Sequence, residues 1–526
     1  MKELELSDLS AEQKIGQLIV ARCGLCEEDK KFIIDMAKKK CVGGIQMCFS
    51  DGYKEFIDKV RGAADYPLLV CADMENGYPG GSFKFPLPIG ISSTNDPSLA
   101  YQLARLTAIE AKRAGINVVW GPVVDIAREG ALCKISRCFG DDIERVCKFS
   151  IEMIKGFQDE GMVVTAKHFP GGSDLVCDPH MKMEASMLGE EELMNKDIIP
   201  YLRAMKEANL SGIMSGHGYF PKIDDKYVAS LSPKIIGLIR KAGFDGIIMT
   251  DSLAMMAIVQ NYNEEDVHGL AIAAGNDMIL PNYRLSFKDS YNYLLKAYKK
   301  GIISDERLDD AVRHVIEAQH KTLKKASMER ANGELRQAAL AAKEKSLCAL
   351  NAEGYTTRLS EKTKKLFVLL SENEYPGIYG TSKELTAAKC YSKENALKRK
   401  EMILKEFPGS EVMIINEFPC QAEIEAVCQK ISECDEAIFY VFCIMSSYLA
   451  SDGITDRIKN LINANMDKIS AIIHIGNPYE IKKYNSPKRI LAAAYADDSD
   501  KYLFDALKGR FIPTGKIPLG AAAAKL

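Results

Sequence analysis

No apolar run in this 526-residue sequence approaches the length of a membrane-spanning helix, so nothing in it asks for a bilayer. An excess of one charge is missing as well: 69 Lys and Arg stand against 72 Asp and Glu, a formal net charge of -3. Nucleic acid or an anionic membrane would favour a concentrated basic surface, and neither is expected as a partner. The first residues, MKELELSDLSAEQKIGQ, are polar and charged rather than signal-like, so a cytoplasmic location is expected. No Gly-rich phosphate loop of Walker or Rossmann spacing and no G-x-S-x-G serine elbow occurs. Histidine is scarce, at seven residues.

Fifteen cysteines lie scattered through apolar runs such as VFCIM and LLVCADM. An odd count without a signal fits reduced, mostly buried thiols rather than a disulfide framework. Cys23 and Cys26 have CxxC spacing, but Cys41 and Cys48 stand at the wrong distances for a zinc ribbon. The pair reads as a helix start, and no metal or cofactor is expected.

What is present is an ordinary globular composition, 47% apolar and 27% charged, on a chain long enough for more than one domain. Eight short apolar runs recur through the first 285 residues: 15–22, 43–49, 67–74, 116–125, 163–169, 210–217, 245–252 and 276–281. Their continuous hydrophobicity suits strands covered on both faces. Between them lie helix-like stretches such as DPSLAYQLARLTAIEAKRAG, with Asp96 as a cap and Gly115 as a stop. Strand and helix alternating about eight times is the pattern of a TIM-like (β/α)₈ barrel. A doubly wound open sheet is the alternative, though it would not usually need this many units. The reading is thus α/β: a barrel over 1–325, a helical linker over 326–345 and a smaller α/β sandwich over 346–526.

Asp73, Asp125, Lys167 with His168, His217 and Asp251 all fall where an apolar run stops. In a parallel barrel those ends share one rim, so the groups converge on one pocket. The segment KHFPGGSDLVCDPH, 167–180, adds two histidines, two aspartates and a lysine on a stretch broken by glycine and proline. Asp251 sits at the lip of an apolar wall. Retaining glycoside cleavage needs one carboxylate to attack the anomeric carbon and a second group to protonate the leaving oxygen. His180, two residues after Asp178 and stiffened by Pro179, is a candidate donor: a carboxylate at that spacing can hold one tautomer of the ring. The competing reading makes Asp178-Pro179 a turn start and leaves His180 on the surface.

At this point the residues resemble glycoside hydrolase family 3, in its bacterial β-N-acetylglucosaminidase branch. KHFPGGSDLVCDPH resembles that family's KHFPGHGDTxxDSH loop, CADMENG its D-x-E-G segment, GPVVDIARE its APVxDxxR segment and ISRCFGDD its RSFGxDP segment. FDGIIMTDSLAMMAI resembles the nucleophile strand, and AGNDMIL, HIGNPYEI and FIPTGKIPLG resemble later segments. The resemblance implies Asp251 as nucleophile, Asp178 and His180 as acid/base dyad, and Asp73, Arg137, Lys167 and His168 as groups gripping the terminal sugar. It implies a small carbohydrate as partner, drawn from muropeptide fragments or chito-oligosaccharides, and exo-hydrolysis with retention.

Departures from the family pattern are Gly172, Ser173, Asp174 and Leu175 in place of His-Gly-Asp-Thr, Pro179 in place of Ser, and Asn76, Gly77 and Tyr78 in place of Gly-Gly-Arg. They leave the dyad and nucleophile intact but touch the loop and sugar selectivity. Two alternatives stay open on the residues: phosphorolysis, because a histidine acid/base does not repel an incoming anion, and a sugar-binding protein with a decayed site.

Overall fold

The computed structural model describes residues 3–22, 26–47, 52–81, 83–130, 135–324, 332–350, 359, 362–371, 392–444, 454–485, 487–494 and 499–520. The chain forms two units, one of residues 1–84 and 97–339, the other of residues 85–96 and 340–526.

In the first unit each apolar run carries a strand: β1 Val20–Ala21, β2 Gly44–Gln46, β3 Leu69–Asp73, β4 Val118–Val123, β5 Val163–Phe169, β6 Gly212–Ser215, β7 Ile247–Ser252 and β8 Met278–Leu280. They pair in sequence order, all parallel, as one eight-stranded sheet. A parallel bridge between Ile19 and Ile279 joins the first strand to the last. This is the expected (β/α)₈ barrel. The Trp120 indole N–H points to the Met249 sulfur at 3.3 Å, joining β4 to β7, which are not neighbours and can meet only through the interior.

Successive strand residues point to opposite faces. Leu69 and Cys71, Val118 and Trp120, and Ile247 and Met249 therefore share the inward face, and they form one buried cluster. The seam is short, with two residues in β1 and three in β8. Arg22, just past β1, ties that end together. Its guanidinium donates to the side chain of Gln46, to Ser252 Oγ at 2.6 Å and to the Pro281 carbonyl at 2.8 Å.

Helices follow the strands where the sequence signals them. The stretch after Asp96 is helical over Pro97–Arg113, and Gly115 supplies a positive φ of 89° just beyond it. The last helix of the barrel, Asp305–Lys321, is capped by Ser304. Cys26 precedes the helix Glu27–Lys38, as the sequence suggests, while Cys23 and Cys48 lie outside the described residues. Cys41 is buried, and burial pushes its thiol up to about 11. Within the expected linker, Asn332–Lys345 is helical and 325–331 lie outside the described residues.

The second unit is built on a six-stranded sheet of β9 Cys348–Leu350, β10 Lys365–Ser371, β11 Glu411–Asn416, β12 Glu436–Cys443, β13 Ile469–Gly476 and β14 Ile490–Ala493. The order is β11-β10-β12-β13-β14-β9, parallel except for the edge strand β9. Leu366, Val368, Phe439 and Val441 enter a core on one face, whereas Phe367, Leu369, Ile438 and Tyr440 enter a core on the other. Both faces are covered, which is why these runs read as continuous rather than alternating. The helix Pro88–Ser93 belongs to this unit and lies so close to it that a Cβ on Gly90 would sit 2.6 Å from the Ala494 methyl.

Candidate active site

The inward parity of the barrel strands decides which rim groups meet. On β3 the series Leu69, Cys71 ends in Asp73, on β5 Val163, Thr165 ends in Lys167, and on β7 Ile247, Met249 ends in Asp251. All three are inward positions at carboxyl ends, the face where barrel sites are built. The register of β5 against β6 shifts between Lys167 and Phe169, and the irregularity turns His168 into the site as well.

Lys167 is buried and organises one side. Its ammonium lies 2.6 Å from Asp73 Oδ1 and 3.0 Å from Glu75 Oε1. Arg137 grips the same Glu75 with two donors, Nε at 2.7 Å and Nη2 on the other oxygen. Burial alone would lower Lys167, but Asp73 and Glu75 raise it above its ordinary value. Burial would raise Glu75, but Arg137 and Lys167 hold it well below the usual carboxylate range. The result is two cations and two carboxylates in one charge-balanced network with forked geometry.

Asp251 sits among imidazoles. His168 Nδ1 lies 2.8 Å from Asp125 Oδ2, and its Nε2 lies 3.8 Å from Asp251 Oδ2. His217 is buried; its Nε2 lies 2.9 Å from the Ser252 carbonyl, which can only accept, so Nε2 carries the proton and Nδ1 accepts from Ser230 Oγ at 2.8 Å. Burial pushes both His168 and His217 below their ordinary value. Burial would raise Asp251, but the charges that His168, His217 and His180 can carry, with the Ser252 N–H at 2.6 Å, lower it to about 2. At neutral pH the Asp251 carboxylate is ionised and fixed.

The stretch after β5 is neither helix nor strand over 170–180, as its glycines and prolines require. Carboxylates hold it from within the barrel unit. Asp197 accepts from the Gly172 and Ser173 amides at 3.1 and 2.7 Å and from Ser173 Oγ at 3.1 Å. Glu184 accepts from the Val176 and Cys177 amides at 2.8 and 2.6 Å. Gly172 has a φ of 107°, and a Cβ there would strike Leu175, which stands where the family has threonine. One oxygen of Asp178 takes both the His180 amide at 2.9 Å and His180 Nδ1 at 2.6 Å. That bond places the ring proton of the neutral imidazole on Nδ1. The Pro179 carbonyl accepts the Ala257 amide at 3.1 Å, which binds the dyad to the segment that follows Asp251.

All seven residues singled out in the sequence lie in this one unit. The structure brings Asp73, Arg137 and Lys167 into one network, His168 against Asp251, and His180 onto Asp178. Arg137 and Lys167 both meet Glu75, a role that the sequence reading did not give that residue. Asp197 and Arg22 were also missed: no local pattern marks a carboxylate that caps a loop over 20 residues away or a guanidinium across a seam. One further group, Asp277 with Asp310 and His314, has metal-ligand spacing, but Arg240 and Arg307 bond Asp277 there, which makes it an ion-pair cluster.

Residues 10–318 match the Glycosyl hydrolase family 3 N terminal domain. The chain belongs to glycosyl hydrolase family 3. This family 3 protein is thereby a glycoside hydrolase acting on O-glycosyl bonds. Among its curated relatives is a beta-hexosaminidase of Tolumonas auensis, 29% identical over 279 residues, covering 50% of this chain and 81% of the relative. A solved family 3 beta-N-acetylglucosaminidase from Paenibacillus sp. str. FPU-7 shares the fold with a TM-score of 0.80 at 24% identity, covering 97% of this chain and 99% of its own. A solved beta-glucoside phosphorylase does so with a TM-score of 0.80 at 23% identity, covering 98% and 95%.

Proposed function

We propose that this family 3 hydrolase removes terminal β-linked N-acetylglucosamine with retention, acting in the cytoplasm. Asp251 attacks the anomeric carbon as the glycosidic C–O bond breaks, and His180 Nε2 gives its proton to the departing oxygen. In the second step water gives a proton to His180, its oxygen bonds to the anomeric carbon, and the Asp251 carboxylate is released. Asp178 holds the ring and stabilises its charged form. The observation that supports this reading is the bond from the Ala257 amide to the Pro179 carbonyl, which ties the segment between Asp178 and His180 to the helix Met256–Val259 that follows β7.

Asp73, Arg137, Lys167 and His168 hold the terminal sugar. Two of the three ammonium donors of Lys167 are engaged by carboxylates, and the third is directed to a hydroxyl. Asp73 is 59% exposed at its side chain and is the carboxylate of this network most open to a vicinal hydroxyl.

Phosphorolysis is a second reading, favoured by the dyad itself: an imidazole carries no negative charge to repel phosphate as a carboxylate would. Product analysis with an aryl β-N-acetylglucosaminide and an aryl β-glucoside, each with and without phosphate, tests both. Free N-acetylglucosamine at a phosphate-independent rate is expected. Sugar 1-phosphate rising with phosphate would move the assignment to a transferase, and turnover of the glucoside alone would overturn the sugar.

A further inference from the structure

The charged groups Asp73, Glu75, Arg137 and Lys167 come from β3, β5 and the segment after β4. The loops after β5, β6 and β7 carry charges of their own but add exposed apolar side chains to the rim. Among the described residues of the barrel unit, the large apolar side chains left exposed are Val176 (40%), Met181 (40%), Met187 (60%), Val259 (42%), Tyr283 and Ile302. The first three lie on the loop that carries His180, and Val259 ends the helix Met256–Val259 that follows β7. Met181 directly follows His180 in the chain.

Three bonds join these loops into one surface. The Ala257 amide meets the Pro179 carbonyl at 3.1 Å, and the Ser186 amide meets the Tyr219 carbonyl at 2.7 Å. The Val228 amide meets the Tyr262 hydroxyl at 3.0 Å. Tyr227 and Tyr262, half-buried, stack between the second and third loops with ring centroids 6.4 Å apart. Lys226 lies over the Tyr227 ring, and Lys182, Lys222 and Asp225 are the other exposed charged residues of these loops.

A retaining glycosidase expels its leaving group past the residue that protonates it, so the surface around the acid/base is the aglycone's side. Valine offers no donor or acceptor to sugar hydroxyls and the methionine thioether only a weak acceptor, and aromatic faces reward apolar groups. We propose that the loops after β5, β6 and β7 form an apolar lip around His180 that selects an alkyl or aryl aglycone over a second sugar, with Met181 and Val259 as specificity-determining residues. The inference rests on the glycosidase reading above for the position of the leaving group.

Methyl and hexyl β-N-acetylglucosaminides, whose leaving groups are of similar basicity, are compared with N,N'-diacetylchitobiose. The hexyl compound is expected to exceed the methyl compound in kcat/KM by roughly tenfold or more, as burial of added methylenes requires, and to exceed the disaccharide. Replacing Met181→Asn together with Val259→Asn brings the hexyl-to-methyl ratio toward one. Ile302→Asn, an equally exposed apolar site away from these loops, leaves it unchanged. A wild-type ratio near one, or a disaccharide preferred over the hexyl compound, overturns the lip. The same pair is run as β-glucosides, so that a change of sugar overturns the glycone reading while the ratio still judges the lip. Affinity for the hexyl and methyl 1-thioglycosides reads the same ratio without turnover.

Discussion

His168 faces two aspartates at once, with Nδ1 bonded to Asp125 at 2.8 Å and Nε2 standing 3.8 Å from Asp251. With the ring proton on Nδ1, Nε2 and the Asp251 carboxylate are both acceptors, and neither can quench the other. A second proton on the ring would change that, since the imidazolium would pair with the nucleophile.

The acid limb of activity is therefore expected to follow an imidazole and not Asp251. The Asp251 carboxyl is lowered to about 2, whereas burial lowers His168 from its ordinary imidazole value. Burial lowers His168 while Asp125 raises it, so Asp125→Asn removes a raising influence and moves that titration to lower pH. Ring-proton NMR of His168 beside the pH profile of kcat/KM checks the direction. An upward move would contradict the geometry.

Asp251→Asn keeps size and loses the nucleophile. Turnover of an aryl glycoside is expected to fall by about a thousandfold or more. A rate near that of the native protein would remove Asp251 from the chemistry.

His180→Ala is expected to slow substrates with poor leaving groups by about 10² to 10⁴. Substrates with very good leaving groups need little protonation and should form the glycosyl-enzyme at a similar rate. A Brønsted plot of rate against leaving-group basicity reads this: it steepens in the variant if His180 is the acid and stays parallel if it is not.

Asp197 is buried and takes three bonds from the dyad loop. Asp197→Ala leaves those donors without a partner, at a cost of about 3 kcal/mol on the scale of lost charge-assisted bonds. Amide exchange at Gly172 and Ser173 is expected to accelerate with it. Unchanged protection there would mean that other contacts fix the loop.

His268 in the barrel unit and His474 in the second unit are both pushed down to about 4, burial being the main cause. His474 uses both nitrogens in its neutral form, bonding the Tyr484 hydroxyl at 2.9 Å and the Asn477 carbonyl at 2.7 Å. Between the ordinary pH 6.5 and 4 the unfolded chain takes up a proton that the folded chain refuses, so stability is lost as pH falls through that window. About 3 kcal/mol per histidine is expected. Urea unfolding at pH 7 and pH 4.5 measures it, and replacing His474 by Phe flattens the second unit's share.

Much of this was legible in the sequence because parallel strands buried on both faces announce themselves as apolar runs. The runs at 163–169 and 245–252 contain β5 and β7, and their terminal polar residues His168 and Asp251 meet at the carboxyl rim of the barrel. The antiparallel strand β9 was not legible, since three residues, Cys348–Leu350, carry no periodicity and follow an alanine-rich helix. Run 15–22 was only half a strand: Ile15, Gly16 and Gln17 belong to the helix Ala11–Gln17, because apolar continuity alone does not mark where a buried helix gives way to a strand. Glu75 was quoted within a motif yet given no task. Its meaning depends on Arg137, 62 residues away, and such pairing is a property of the closed sheet.

Arg22 gives the seam of the barrel a timing. Ser252, next to Asp251, is anchored by the side chain of Arg22, and the same guanidinium holds Pro281. A growing polypeptide cannot complete that clasp until its eighth strand has emerged. Nascent or truncated forms that stop between residues 252 and 280 carry Asp73, Lys167, His180 and Asp251 and still lack the Pro281 half of that clasp.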